Sequence, residues 1–201
     1  VFKWSGGQRI VNVSFNDKED GCILSTFSAS GGKIVSRLYG LEFDKTTETF
    51  KTSDLEGLVY KSGYCENGDM WLLGDSVLYR VAPDGSVIYT YKYDRELVSY
   101  DLSRDMAVLV FDSVTGDNQE IRIFGKDKEP AVYKTDSEVI RLDIIDENAV
   151  FMTKNYFAFL DNNAKVTASC ELEKEYSDFA VMKDEVYFMG YNEVDKVDFN
   201  R

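Results

Sequence analysis

Asn67 to Tyr93 reads NGDMWLLGDSVLYRVAPDGSVIYTYKY and decides the fold. Three short runs rich in aromatic and β-branched residues are separated by turn signals, as strands are. Gly74-Asp75 is read as the first turn. Pro83-Asp84-Gly85 is read as the second, with proline fixing φ and glycine accepting a positive φ. The pattern returns as ENAVFMTKNYFAFLDNNAKVTASC, Glu147 to Cys170. Laid together without a gap, 79 residues apart, Trp71 meets Val150, Leu78 meets Phe157, Gly85 meets Ala164 and Val87 meets Val166. That offset is two periods of roughly 40 residues, the length of a propeller blade.

Working outward, repeats start near Ile10, Leu58, Leu97, Val139 and Phe179, 39 to 48 residues apart. Second strands such as Ala107 to Phe111 and Ala149 to Met152 are continuous apolar runs, which bury both faces. The last strands alternate, with Tyr89, Tyr91 and Tyr93 set against Ile88, Thr90 and Lys92, as an outer strand with one wet face does. Sheets stacked face to face fit this gradient better than a two-sheet sandwich, which alternates on most strands. Glu171 to Asp178 is the best candidate for a helical turn, within a linker between repeats. The expectation is one all-β domain over residues 1–201, a propeller of about five four-stranded blades. Two closures stay open. Val1 to Trp4 can complete the fifth blade, or the chain is part of a larger ring.

Composition excludes several chemistries. The 201 residues include no histidine, so His-based triads, His-ligated zinc and a His general base have no donor here. Cys22, Cys65 and Cys170 are widely separated and form no CxxC pair, so they read as buried structural thiols. The net charge is −13, from 36 acidic and 23 basic residues, and that field repels nucleic acid and anionic membrane. Gly6-Gly7 and Gly31-Gly32 open no helical pattern, so no phosphate cradle is read and no cofactor is expected. No apolar run reaches the roughly 20 residues of a membrane span.

Three candidate sites remain. Glu66, Asp101 and Asp143 lie near the ends of inner strands, where a carboxylate-based glycosidase would keep its acid and its base or nucleophile; acids before polar turns are also ordinary. Asp17, Glu19 and Asp20 concentrate hard oxygen ligands suited to calcium in NDKEDG, without the full alternation of an EF-hand loop. A similar concentration occurs in DIIDEN, Asp143 to Asn148. Tyrosines including Tyr89, Tyr91, Tyr93, Tyr100 and Tyr156 could serve an interface or the packing between blades.

Ser76 to Tyr91 (SVLYRVAPDGSVIYTY) resembles the outer hairpin of quinoprotein-like propeller repeats. Tyr100 to Val110 (YDLSRDMAVLV) resembles the inner hairpin of WD40 and TolB-type blades, departing from it with Arg104 and Asp105 in the turn. The WD dipeptide and the repeated tryptophan-docking signature are absent. In style the chain is similar to membrane-anchored propeller proteins of Gram-positive bacteria. That likeness implies a bacterial, extracytoplasmic domain tethered upstream of Val1, and it implies no activity. The functional expectation is a non-enzymatic propeller that recognises a protein or cell-surface ligand, with the carbohydrate-active reading as the alternative.

Overall fold

A computed structural model of the chain describes residues 4, 6–16, 18–103, 105–112, 118–125 and 129–199. All regular structure among them is β, in five antiparallel sheets. The chain divides into two compact units, Val1–Asp94 and Arg95–Arg201.

The first unit holds two sheets. In one, β1 (Arg9–Phe15), β2 (Gly21–Ser30), β3 (Lys33–Glu42) and β4 (Phe50–Lys51) run in order, and the short β5 (Leu55–Glu56) also pairs with β3. In the other, β6 (Val59–Tyr64), β7 (Met70–Gly74), β8 (Val77–Val81) and β9 (Val87–Lys92) form a four-stranded meander. Ile23 and Leu38 of the first sheet pack with Val59, Leu72 and Tyr79 of the second in one core.

The second unit holds three sheets. They are β10 (Leu97–Ser103), β11 (Met106–Phe111), β12 (Gln119–Phe124) and β13 (Ala131–Thr135); β14 (Val139–Ile145), β15 (Asn148–Thr153), β16 (Tyr156–Leu160) and β17 (Val166–Glu171); and β18 (Asp178–Met182), β19 (Glu185–Met189) and β20 (Val194–Asp198). Strand β15 shows why the second strands are apolar throughout. Ala149 and Phe151 pack with Val108, Val110 and Ile121 of the preceding sheet. Val150 and Met152 pack with Phe179, Val186 and Phe188 of the following one. Both faces are covered, so no position has reason to be polar.

The turn Pro83-Asp84-Gly85 behaves as read. Gly85 N–H donates to Ala82 O at 2.9 Å, Gly85 has φ +87°, and the β8–β9 register slips beside it. This is a type I turn with a glycine bulge. The matching turn holds Ala164 in the same left-handed region, φ +59°, with the matching bond from Ala164 N–H to Asp161 O at 2.9 Å. An L-residue there is strained by about 1–2 kcal/mol. Ala164→Gly is therefore expected to raise stability, by about 0.5–1 kcal/mol once the looser unfolded chain is counted. Chemical denaturation measures it.

Two readings are corrected in detail. The β7–β8 turn is centred on Asp75-Ser76, one residue later than read, because Leu73 pairs with Leu78 and Gly74 still belongs to β7. Residues 172–177 form an irregular linker without a helical turn. The fifth sheet has three strands among the described residues. Val1 to Lys3, like Arg104, lie outside those residues. Trp4 is in no strand; its ring meets Tyr39 of β3 edge-on at 4.5 Å, and its Nε1–H donates to Gln8 O. Cys22 and Cys65 are buried and Cys170 is half-buried. No helix among the described residues is long and apolar enough to cross a membrane.

Candidate functional site

Four inner strands carry a β-bulge at matching register. The unpaired residues are Val11, Tyr60, Val98 and Ile140, each between two residues that oppose consecutive positions of the neighbouring strand. A bulge increases local twist and re-aims the side chains that follow. Three residues after it in the second unit come Asp101 on β10 and Asp143 on β14, paired across their own sheets with Val108 and Val150. The repeat therefore sets the two acids at one level on neighbouring inner strands.

The carboxyl groups of Asp101 and Asp143 converge on one backbone donor, the N–H of Ile144. Asp101 Oδ1 accepts the N–H of Leu102 at 2.8 Å, and its Oδ2 accepts the N–H of Ile144 on the next inner strand at 2.9 Å. Asp143 Oδ1 accepts the same Ile144 N–H at 3.0 Å. The row continues through Arg141, whose guanidinium lies 3.8 Å from Asp143 and 3.2 Å from Asp178 of β18. In the first unit a neutral version joins β1 to β6. Ser14 and Ser62 share a 2.7 Å hydroxyl contact, and Asn12 Nδ2 donates to both.

Burial pushes the Asp101 carboxyl above the ordinary aspartate range, and the Asp143 carboxylate pushes the same way, against the two backbone N–H donors. A raised folded pKa has a definite sign. Its stabilising contribution is complete below the unfolded value, about 3.9, and is lost as pH rises through the higher folded value. Asp101→Asn keeps an acceptor for the backbone and offers Asp143 a donor. The variant is expected to match the parent near pH 3.5 and to melt higher at pH 7. Melting temperatures across that range test it; a constant difference at every pH would remove the shared carboxyl site from the explanation.

The remaining candidates lie apart from this row. Glu66 is exposed in the turn after β6, in the other unit, and the position matching Asp101 and Asp143 there is Gly63, opposite Trp71. In the Asn16 to Gly21 turn the asparagine organises the backbone. Asn16 Oδ1 accepts the N–H groups of Asp20 and Gly21, and its amide donates to Asp20 Oδ1 at 2.6 Å. Glu19 sits there at φ +56°, and Asp17 lies outside the described residues. In the second acidic turn Asp146 and Glu147 both take positive φ, the type I′ hairpin geometry. Among the described residues no group of three or more Cys, Asp or Glu converges as metal ligands would. Composition missed Arg80, which is 1% exposed, lies over the Trp71 ring at 5.3 Å and donates from Nε to Asp69 Oδ2 at 2.9 Å. The repeat carried the signal, because Arg80 aligns with Phe159.

Solved structures share the architecture at low identity. The β-propeller domain of Cps50 (Swd1) from Myceliophteria thermophila superimposes with a TM-score of 0.57 and 10% identity, over 91% of this chain and 62% of that one. Hsv2 from Kluyveromyces lactis gives 0.55 and 13%, over 90% and 56%. Sqt1 from Chaetomium thermophilum gives 0.62 and 9%, over 98% and 59%. The chain thus spans about three fifths of the length of these proteins, and the likeness establishes a β-propeller fold. No curated protein matches the chain. Residues 3–199 match a family described only as one of unknown function. By that match the chain belongs to the DUF5711 family, and it carries the family on a β-propeller fold.

Proposed function

We propose that the chain is a non-enzymatic binding domain that recognises a protein or cell-surface ligand outside the cytoplasm, on a membrane anchor upstream of Val1. The observation that carries this reading is how the inner-strand carboxylates are used. Both oxygens of Asp101 accept backbone N–H groups, one of them across to the next sheet. Asp101 and Asp143 converge on one backbone donor, the Ile144 N–H, at 2.9 and 3.0 Å, so the space between them is taken by the backbone, whereas a glycosidase keeps its two carboxyl groups apart for the sugar. These acids fasten neighbouring inner strands.

Exposed aromatic surface supports the binding reading. Phe15 and Phe43, 64% and 56% exposed, meet edge-on at 6.2 Å where β1 and β3 end beside the Asn16 to Gly21 turn. Exposed aromatic pairs are costly to leave in water and common at interfaces. The test places a photo-crosslinking residue at Phe43 and, separately, at the exposed Ile88 of β9, in the native host. A discrete crosslinked species from Phe43 alone is expected. Equal labelling at both positions, or none, removes the reading. Asp143-dependent turnover of a glycoside would establish the carbohydrate-active alternative. Degradation of the native protein by protease added to intact cells tests the placement outside the membrane.

A further inference from the structure

The second unit carries an open groove at the ends of its sheets, where the β13–β14 connection, the β15–β16 turn and the linker after β17 come together. It consists of three adjoining lobes of 450, 490 and 590 Å³ that share Ser137. Tyr133, Tyr156 and Leu172, all half-buried, line its largest lobe.

The charges around this groove are unevenly neutralised. Each lysine that lines it is taken by an acid: Lys154 by Glu175 at 2.6 Å, Lys174 by Glu193 and Asp195 at 2.7 and 2.9 Å, and Lys134 by Glu120 at 3.8 Å. Asp136, Glu138, Glu171 and Glu173 are exposed on the walls, and none has an ion-pair partner among the described residues. The groove therefore presents two tyrosine rings and Leu172 among polar side chains, between walls of unneutralised carboxylates. Its complement is a chain with cationic ends on aliphatic stems, since lysine stems lie on apolar surface while their ammonium groups reach the carboxylates.

We infer that this groove docks a basic, lysine-containing peptide segment of a protein partner. The inference rests on reading the chain as a binding domain and names the chemistry of one ligand. The open, three-lobed form suits an extended segment better than a compact ligand, and the tyrosine faces suit cationic heads.

The probe is a fluorescein-labelled octalysine peptide, followed by anisotropy on the whole chain at low ionic strength. Two variants are compared, each shown by circular dichroism and melting to be folded. One carries Asp136→Asn, Glu138→Gln, Glu171→Gln and Glu173→Gln. The other removes four exposed acids elsewhere, Asp44→Asn, Glu48→Gln, Asp94→Asn and Glu96→Gln. Affinity is expected to fall roughly tenfold or more in the groove variant and by less than about twofold in the control. Added salt should weaken binding of the parent. Equal losses in the two variants would assign the attraction to the overall charge of −13 and overturn the inference. So would the absence of binding, or displacement by spermine at equal cationic charge, which would make the ligand a small polyamine. Crosslinking from Phe43 tests the binding function independently, so failure of the groove and failure of that function are distinguishable.

Discussion

Phe157→Ala is expected to cost about 3–5 kcal/mol of folding stability, the upper range for truncating a buried aromatic ring. The ring is fully buried, with Phe159, Phe179, Phe188 and Phe199 centred 5.0 to 5.7 Å away. Three of the four contacts are edge-on, the arrangement that adds quadrupole attraction to the burial of area. Phe157 stands on β16, whereas Phe179 and Phe188 stand on β18 and β19. Its loss therefore opens a cavity in the contact that seats the three-stranded sheet. That sheet has few alternatives, because β20 alternates between exposed and half-buried residues and supplies little apolar area. Guanidinium unfolding gives the energy, and hydrogen exchange gives the location. Faster exchange confined to β18–β20 is expected before global unfolding. The exposed Phe15→Ala should change stability by less than about 0.5 kcal/mol. A Phe157→Ala cost under about 1 kcal/mol would mean that the cluster relaxes around the cavity, and the last sheet would then owe its position to other contacts.

How much of this was legible depends on what leaves a mark in sequence. The 79-residue offset sets Trp71 on Val150 and Gly85 on Ala164, and the second and third ladders of the two sheets keep that register, while the inner-strand ladder is displaced by one residue. Such marks are strong because a core position or a left-handed turn selects residue type directly. The bulges at Val11, Tyr60, Val98 and Ile140 were not legible. A bulge next to a half-buried face can hold any β-former, and these four share no chemistry beyond that. Without the bulge the level of each inner-strand residue stays ambiguous. Sequence could therefore place Glu66, Asp101 and Asp143 near strand ends but could not show that only Asp101 and Asp143 share a level. Glu66 lies two residues beyond the end of β6, in the turn, where carboxylates serve solubility and backbone geometry. The groove was illegible for another reason. It is made of linkers, and the residues of 171–178 that looked like a helical turn form one of its walls. The exposed Phe15–Phe43 pair joins the end of β1 to the end of β3, a contact no local pattern announces.

Arg80 shows where the repeat says more than composition does, and it carries the second large effect. Its guanidinium is held in the interior by Asp69, with both Nε and Nη2 at 2.9 Å from Oδ2, and lies over Trp71, whose ring meets Tyr89 edge-on. Asp69 in turn receives the Asn67 side-chain amide at 2.9 Å and closes the turn through its carbonyl, which accepts Cys65 N–H at 2.8 Å. Removing one partner of such a pair leaves the other charge in a poor solvent, a loss of about 3–5 kcal/mol, while replacing both by apolar groups of similar volume is neutral or stabilising by about 1–4 kcal/mol. Asp69→Ala is expected to show the loss. Asp69→Asn, which keeps the turn and one acceptor oxygen, should lose less. The fourth repeat indicates the apolar solution, with Phe159 standing where Arg80 does and Asn148 where Asp69 does. The double change Arg80→Phe with Asp69→Asn should therefore recover most of the stability that Asp69→Ala removes, and a double-mutant cycle on denaturation energies measures the coupling. A coupling of about 2 kcal/mol or more makes the pair the hinge of the second sheet's outer half, held by charge where its repeat is held by an aromatic ring. A coupling near zero would show that the cation over Trp71, and not the carboxylate beside it, keeps Arg80 inside.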